Sequence, residues 1–383
     1  LLGHSFVSQS PDVIIVGGGI VGAACALECA RAGLKTLVLE RGTVGGGATA
    51  AGMGHLVTMD DSEAQFQLTA YSCRLWRALL PRLPADIEYD TCGTLWVAAD
   101  EEEMNEVLRK YEYYTSRGVS CEVVKGDQLH REEPSLRKSL AGALRVPGDA
   151  VIYPPCAARF LLEQAKLLGA DVRTGVEVRQ LLDAGGVLLT DGSRIDAGLS
   201  VNAAGAASVK LTQEAPVRPR KGHLLITDRY PGYVRHQIIE LGYLKSAHSV
   251  AADSVAFNIQ PRKTGQMLIG SSRQYQSEDS QVEMDILVHM LERAATYLPS
   301  LNRLSALRVW TGQRAATPDK LPLIGPSVHS QKVWLATGHE GLGITTSLAT
   351  GALLIDLIMN RRSEIDPVPY APSRFSNTTG QHA

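Results

Sequence analysis

Residues 12–40 read "DVIIVGGGIVGAACALECARAGLKTLVLE", and no other stretch of the chain restricts its fold as much. Val13 to Val16 form an unbroken apolar run, as a parallel strand buried on both faces requires. A triple glycine follows, then an alanine-rich segment ending at Gly33, then a second apolar run, "KTLVLE". Strand, glycine turn, helix and strand together make a βαβ unit. The glycines fall as Gly17-x-Gly19-x-x-Gly22. That spacing serves a tight turn, close backbone approach to a pyrophosphate, and close helix–strand packing. The helix beginning at Ile20 and Val21 presents its N–H groups and positive dipole end to the phosphates. Glu40 ends the second strand eighteen residues past Gly22, where an acid bonds a ribose 2′-hydroxyl and repels a 2′-phosphate. The plain alternative is a glycine turn followed by a solvent-facing glutamate.

A second unit of this kind, "KVWLATGHEGLGITTSLATGALLIDLIMN", occupies 332–360. A nicotinamide cofactor in a simple dehydrogenase has no use for it. A flavin does, because its reduced form carries negative charge around N1 and the C2 carbonyl, which a helix N-terminus stabilises. Gly338, Gly341 and Gly343 would let the backbone approach the ring, with Leu342, Ile344 and Thr345 among the first helical amides. An ordinary glycine-rich helix start is the alternative.

With 383 residues, 44% hydrophobic and 20% charged, the chain has the composition of a soluble globular protein of roughly two domains at ~150 residues each. Helices are expected at 62–82, 101–118 and 281–297, and strands at 93–100, 222–228, 254–261 and 266–272. "YPPCAARFLLEQAKLLGADVRTGVEVRQLL" reads as helix then strand, closing on a hairpin, and "LSVNAAGAAS" as a strand entering a glycine turn. Nucleotide-fold pieces at the start, middle and end imply discontinuous domains. The expected division is 12–84, 136–210 and 311–365 for a dinucleotide-binding domain, with 85–135 and 211–310 for a β-rich substrate domain. The fold class is α/β, in a two-domain α+β arrangement with a Rossmann-like cofactor domain.

The net charge of −2, without a basic stripe, argues against nucleic acid as a partner. Six cysteines without a C-x-x-C pair argue against a zinc or iron–sulfur site, so no metal is expected. Reduced thiols in a cytoplasmic compartment are the simplest expectation. "LLGHSFVSQS" lacks a sustained apolar core and is not read as a signal peptide. The longest apolar run, 341–358, is broken by three glycines and is read as a buried helix, so no membrane span is expected.

One arginine calls for an explanation. "WTGQRAATPDKLPLIG" (310–325) sets Arg314 among small and apolar residues, and burying an unpaired guanidinium costs several kcal/mol. Asp319 is one candidate partner. A substrate carboxylate is the other.

With "GGGIVG", Glu40-Arg41, "GGGATAAGMG", "VNAAGA", "RAATPDKLPLIGP" and "ATGHEGLGIT" in this order, the chain resembles the D-amino-acid oxidase (DAO) family over about residues 12–360. It resembles most the branch of glycine oxidase, the flavoprotein subunits of hydrogen cyanide synthase and opine oxidases, and D-proline or D-hydroxyproline dehydrogenases. The resemblance implies FAD in a p-hydroxybenzoate-hydroxylase-like two-domain fold. It implies that the Val178 backbone contacts the adenine and that Ala203 and Gly205 pass near the pyrophosphate. Arg41 would stand beside the ribose acid. Gly47, Ala48, Thr49, Gly52, Met53, Gly54 and His55 would follow the cofactor to the flavin face. Relatives with covalent flavin attach it through a cysteine two residues before the position of Arg314. Here that residue is Gly312, so the flavin is expected to be non-covalent. The turn "VPGDAVIYPPC" departs from the acidic turn usual in the family.

By the same resemblance, Arg314 grips a substrate carboxylate in a bidentate fork. The amino acid then presents its Cα–H to flavin N5 and loses hydride with its neutral amine pushing. An imine results, and no essential side-chain base is required. His55, Arg273, Tyr243 and His339 are further candidates for contact with substrate, each with a plain alternative as a packed or exposed residue. The expected substrate is a small amino acid, D-hydroxyproline or D-proline first, with opine or glycine/sarcosine-type oxidation as the alternative. Small ferredoxin-like or flavin-bearing partner subunits complete the complex in several relatives. A non-catalytic electron-relay subunit is the competing class, and Arg314 speaks against it, since a relay needs no carboxylate clamp.

Overall fold

The computed structural model describes residues 10–213, 215–242, 254–275 and 279–376. Tyr243 and the first nine residues, including most of the segment weighed as a leader, lie outside the described residues. The chain forms two compact units. The first comprises Leu1–Gly46, Ala157–Arg218 and Ala315–Ala383, and the second Gly47–Cys156 and Pro219–Arg314. Segments 47–84 and 136–156, grouped from the sequence with the dinucleotide pieces, fall in the second unit.

In the first unit the apolar strand Val13–Val16 sits centrally in a six-stranded sheet. Its neighbours are Leu199–Asn202 and Thr36–Glu40, both parallel to it. Asp171–Thr174 extends one side and Val333–Thr337 the other, again parallel, and Leu323–Pro326 closes the edge antiparallel. All four residues of Val13–Val16 are buried, which is why that strand carries no polar alternation. The helices Ile20–Arg31 and Gly343–Ile358 pack on one another. Their crossing is close because Gly351 has no side chain: a Cβ there would stand 2.7 Å from the Ala24 carbonyl oxygen. Ile14, Val16, Leu37 and Leu39 share a core with Val178, Leu181, Val187 and Leu189. The last four belong to a three-stranded antiparallel sheet, the expected hairpin and its neighbour.

The second unit is built on an eight-stranded sheet. Its order is Ala306–Ala316, Arg218–Thr227, Met267–Arg273, Ser254–Pro261, Gln237–Glu240, Thr94–Ala98, Gly142–Val146 and Glu122–Val124. Met284–Tyr297 lays its buried face, Leu287, Met290, Ala294 and Tyr297, into the same core as Ile238, Phe257, Ile259 and Ile269. Four of these strands were not legible from sequence. Gly142–Val146 joins this sheet because it pairs antiparallel with both Thr94–Ala98 and Glu122–Val124. Ala306–Ala316 carries Arg314 and is an edge strand with few buried positions, so it lacks the apolar alternation by which a strand is recognised. Among the described residues no helix is long and apolar enough to cross a membrane.

Candidate active site

In the first unit the glycine turn has the geometry its spacing foretold. Gly17 adopts φ +114, and a Cβ there would lie 2.5 Å from the Ala203 carbonyl oxygen. A Cβ on Gly22 would run into the Gly17 carbonyl. The helix Ile20–Arg31 starts at Gly19 with no side-chain cap. Its amide end is therefore not closed by the usual Ser, Thr or Asp oxygen. Glu40 accepts from the Gly18 N–H at 2.6 Å and the Gly42 N–H at 2.7 Å. Its carboxylate thus ties the glycine turn to the loop after the second strand, while each oxygen keeps a further lone pair. Arg41 is exposed and faces Glu177 at 3.8 Å.

Ala203 and Gly205 are held by a residue that sequence reasoning passed over. Buried Asn202 donates to the Ser208 carbonyl and to Thr212 Oγ1, each at 2.9 Å, and accepts from the Ala204 N–H at 3.3 Å. Thr337 Oγ1 adds a bond to the Gly205 carbonyl at 3.1 Å. Val178 opens the strand Val178–Leu181 and is buried.

The C-terminal turn places Gly338 at φ +79, where a Cβ would stand 2.6 Å from Thr317 Cγ2. Glu340 donates its N–H to the Ala315 carbonyl at 2.8 Å. Helix Gly343–Ile358 begins after Gly341 and Leu342 without a side-chain cap, with Ile344 and Thr345 buried in its first turn. His339 points into this helix, its Nε2 at 2.9 Å from Thr350 Oγ1. Burial pushes its pKa down to about 3, so the ring is neutral.

The second unit holds the remaining candidates. Gly47, Ala48 and Thr49 lie in the short helix Gly47–Ala51, which leads through Gly52 to Met53, Gly54 and the strand His55–Leu56. Four contacts pin this segment to the unit. Trp310 Nε1 donates to the Ala51 carbonyl at 3.3 Å, Gln260 Nε2 to the Met53 carbonyl at 2.8 Å, and the Ile152 N–H to the Gly54 carbonyl at 2.9 Å. The fourth is His55 Nδ1 with Gln237 Oε1. Met53 packs with Leu224 and Leu268 beneath Ile226 and Trp310. Neither Gln237, Gln260 nor Trp310 had a local signal, since each acts across strands distant in sequence.

Arg314 is brought to this segment. Two residues before it, Gly312 lies so close to Ala51 that a Cβ would collide with the alanine methyl. Arg314 Nη1 donates to the Ser272 carbonyl at 3.0 Å, and its guanidinium lies against Gly222, filling the space of a missing side chain. Asp319 is committed elsewhere, to Arg374 through Nε at 2.7 Å and Nη2 at 3.0 Å. The internal pairing weighed for Arg314 is therefore formed by another arginine. Arg273 ends the strand Met267–Arg273 and is buried.

Next to Gly222 stands His223, also missed from sequence. Its Nε2 accepts from the Glu283 N–H at 3.0 Å and its Nδ1 meets Ser272 Oγ at 2.9 Å. Burial and neighbouring Lys221 hold its pKa below the ordinary value. Ser272 thus links a neutral histidine, through its hydroxyl, to the arginine bonded to its carbonyl.

Residues 12–357 match the DAO family, described as FAD dependent oxidoreductase. The glycine oxidase of Geobacillus kaustophilus (strain HTA426) is 29% identical over 384 residues, covering 96% of this chain and 98% of that protein. The crystal structure of glycine oxidase from G. kaustophilus superposes with a TM-score of 0.86 at 27% identity, covering 95% of this chain and 98% of that one. Hydrogen cyanide synthase subunit HcnC of Pseudomonas aeruginosa is 25% identical over 419 residues, covering 96% and 97%. L-proline dehydrogenase from P. horikoshii shares the fold, with a TM-score of 0.87 at 24% identity, covering 96% and 98%.

Proposed function

Since the chain belongs to the DAO family of FAD-dependent oxidoreductases, matched over residues 12–357, we propose that it oxidises a small α-amino acid or N-substituted amino acid whose carboxylate is held by Arg314. FAD, when bound, supplies the two-electron acceptor for hydride from the substrate Cα. In this reading the Gly17–Gly22 turn and the start of helix Ile20–Arg31 bind the pyrophosphate, and Glu40 the adenosine ribose. Val178, Ala203 and Gly205 line the adenosine and phosphates, and Gly47–His55 follow the cofactor toward the flavin. Gly341 to Thr345 bring helix amides to the flavin, and His339 keeps their turn in place by its bond to Thr350. Gly312 in place of a cysteine goes with non-covalent FAD.

The observation that carries the proposal is the setting of Arg314. Asp319 is taken by Arg374, Gly222 leaves room for the guanidinium beside Ser272, and Gly312, two residues before Arg314, lies against Ala51. The Ser272 carbonyl accepts from one guanidinium nitrogen, and a planar guanidinium is the group suited to bidentate recognition of a carboxylate. His223 adds a hydrogen-bond link to it through Ser272.

As substrate we place a cyclic secondary amine, D-hydroxyproline or D-proline, first. Glycine or sarcosine is the second reading, favoured by the 29% identity to a glycine oxidase. Likeness to a protein named as a synthase subunit supports further subunits as partners. The test is Arg314→Ala. Loss of a bidentate charged contact should cost ~2–5 kcal/mol in kcat/KM, about 30- to several-thousand-fold. FAD content should be unchanged, and Arg314→Lys should recover little. A fully active Arg314→Ala enzyme would refute the assignment.

A further inference from the structure

Ala306–Ala316, Arg218–Thr227 and Met267–Arg273 lie side by side at the edge of the eight-stranded sheet. Side chains alternate between the two faces of a strand. A Cβ on Gly222 would meet the Arg314 guanidinium, so Lys221 and His223 turn to the other face. There they meet the segment 279–283, which leads into helix Met284–Tyr297. Lys221 Nζ donates to Asp279 Oδ1 at 2.7 Å and to Glu283 Oε1 at 2.9 Å. His223 Nε2 faces the Glu283 N–H at 3.0 Å. From the neighbouring strand, Thr311 Oγ1 donates to the Ser280 carbonyl at 2.9 Å and Gln313 Nε2 to the Asp279 carbonyl at 3.0 Å. Thr311 and Gln313 alternate with Arg314 along that strand. The segment therefore ties together, from behind, the strand that carries Arg314 and the strand whose Gly222 seats it.

A backbone N–H can only donate, so His223 Nε2 accepts from Glu283 and carries no proton. The neutral ring then has its proton on Nδ1, which donates to Ser272 Oγ at 2.9 Å. The same oxygen accepts from the His223 N–H at 2.9 Å. The Ser272 carbonyl in turn accepts from Arg314 Nη1 at 3.0 Å. The ring is thus bonded at both nitrogens, on one side to the segment and on the other to the residue that bonds the guanidinium. A second proton on the ring would sit on Nε2 and oppose the Glu283 N–H, donor against donor. We propose that the segment 279–283 is a clasp behind the Arg314 strands, and that neutral His223 is its acid-sensitive catch: protonation of His223 parts it from Glu283, loosens Arg314 and weakens the hold on a carboxylate. His223 is a positioning residue, acting through Ser272 and the clasp and not by contact with substrate. Its effect on binding rests on the reading of Arg314 as the carboxylate clamp.

The groups around His223 set where the catch opens. Burial and the charge of Lys221 lower its pKa, Glu283 opposes them, and Arg314 and Asp279 add smaller pulls down and up. The ring is therefore neutral at neutral pH and takes its second proton only below the ordinary histidine range. Glu283 is held ionised, because the bonds from Lys221 and Gln274 keep its pKa below the ordinary carboxylate value. The histidine, and not this carboxylate, is thus the member whose titration opens the clasp, which is shut at neutral pH and released as pH falls.

The test follows two readouts on the holoenzyme as pH is lowered from about 8 to about 4.5, across the range of a depressed histidine. Hydrogen exchange of the Glu283 amide, corrected for its intrinsic pH dependence, reads the clasp. Affinity for glycolate, which is glycine with a hydroxyl in place of the titrating amine, reads Arg314 through the flavin absorbance. In the parent both should fall together on acidification, glycolate affinity by about fivefold or more at unchanged FAD content. His223→Gln keeps an acceptor for Glu283 that does not titrate, and both readouts should stay level. Should that variant fail to fold, Thr311→Val with Gln313→Leu cuts the clasp from the Arg314 strand and should show, at pH 8, the weak glycolate binding of the acidified parent. Binding as tight as the parent's in the double variant would count against the clasp. A Glu283 amide equally protected at every pH, or one that loses protection just as much in His223→Gln, would overturn the catch. Lost protection without lost glycolate affinity would overturn its link to Arg314. Arg314→Ala separates this proposal from the reading beneath it: glycolate bound as tightly as by the parent would sink the clamp itself, even where the Glu283 amide behaves as expected.

Discussion

At the scale of single residues, the two units use charge in opposite ways. Arg314 keeps a guanidinium in a half-buried niche floored by Gly222, whereas His339 is buried with its charge removed. The His339 pKa lies far below that of an unfolded histidine, so the unfolded chain binds the extra proton. The stability tied to His339 is complete above about pH 6.5 and is lost as pH falls toward 3, at up to ~1.4 kcal/mol per pH unit. Thermal melts of the parent and of His339→Gln between pH 7 and pH 4 should therefore diverge in slope, the variant losing less on acidification. Parallel slopes would mean that His339 is not buried neutral. From sequence the same residue is a candidate for substrate contact, and its bond to Thr350 shows why position in a motif does not say where a side chain turns.

At the scale of elements, the legible parts were those whose signal is local. The strand Val13–Val16, its glycine turn and the helix after it announce themselves within twenty residues, and so does the segment around Gly338. The edge strand Ala306–Ala316 did not, because an edge carrying Arg308, Gln313 and Arg314 shows no alternating apolar face. The buried bonds joining His55 to Gln237, Gln237 to Thr94 and Thr94 to Asp149 were invisible for another reason: their members lie on segments far apart in sequence, and only the sheet pairing brings Gln237 to Thr94. Strand Arg218–Thr227 offers a test of that edge. A methyl group at Gly222 would meet the end of the Arg314 side chain rather than backbone. A flexible side chain gives way at little cost in stability, so Gly222→Ala should melt close to the parent while displacing the guanidinium. Its kcat/KM should fall toward that of Arg314→Ala, about tenfold or more, chiefly through KM. Steady-state kinetics beside a thermal melt decide it. An unaffected kcat/KM would mean that the guanidinium is not needed where it lies.

At the scale of the whole molecule, the chain divides the work between two compact units. One is a parallel sheet with two glycine–helix turns and the acid Glu40. The other is an antiparallel-rich sheet that carries Arg314, with the segment of Met53 and His55 bonded to its strands through Gln260 and Gln237. The family supplies the cofactor class and the general reaction. Arg314, in the second unit, is proposed to supply the demand for a carboxylate. That demand is tested most directly by mixing the purified holoenzyme anaerobically with D-hydroxyproline, D-proline, glycine, sarcosine and opines, and with the matching amines that lack the carboxylate, while following the flavin absorbance. Rapid bleaching is predicted with at least one carboxylate-bearing amine, and little with its decarboxylated counterpart. Equal bleaching by both, or bleaching by the carboxylate-free amines alone, would contradict the assignment of Arg314 as a carboxylate clamp.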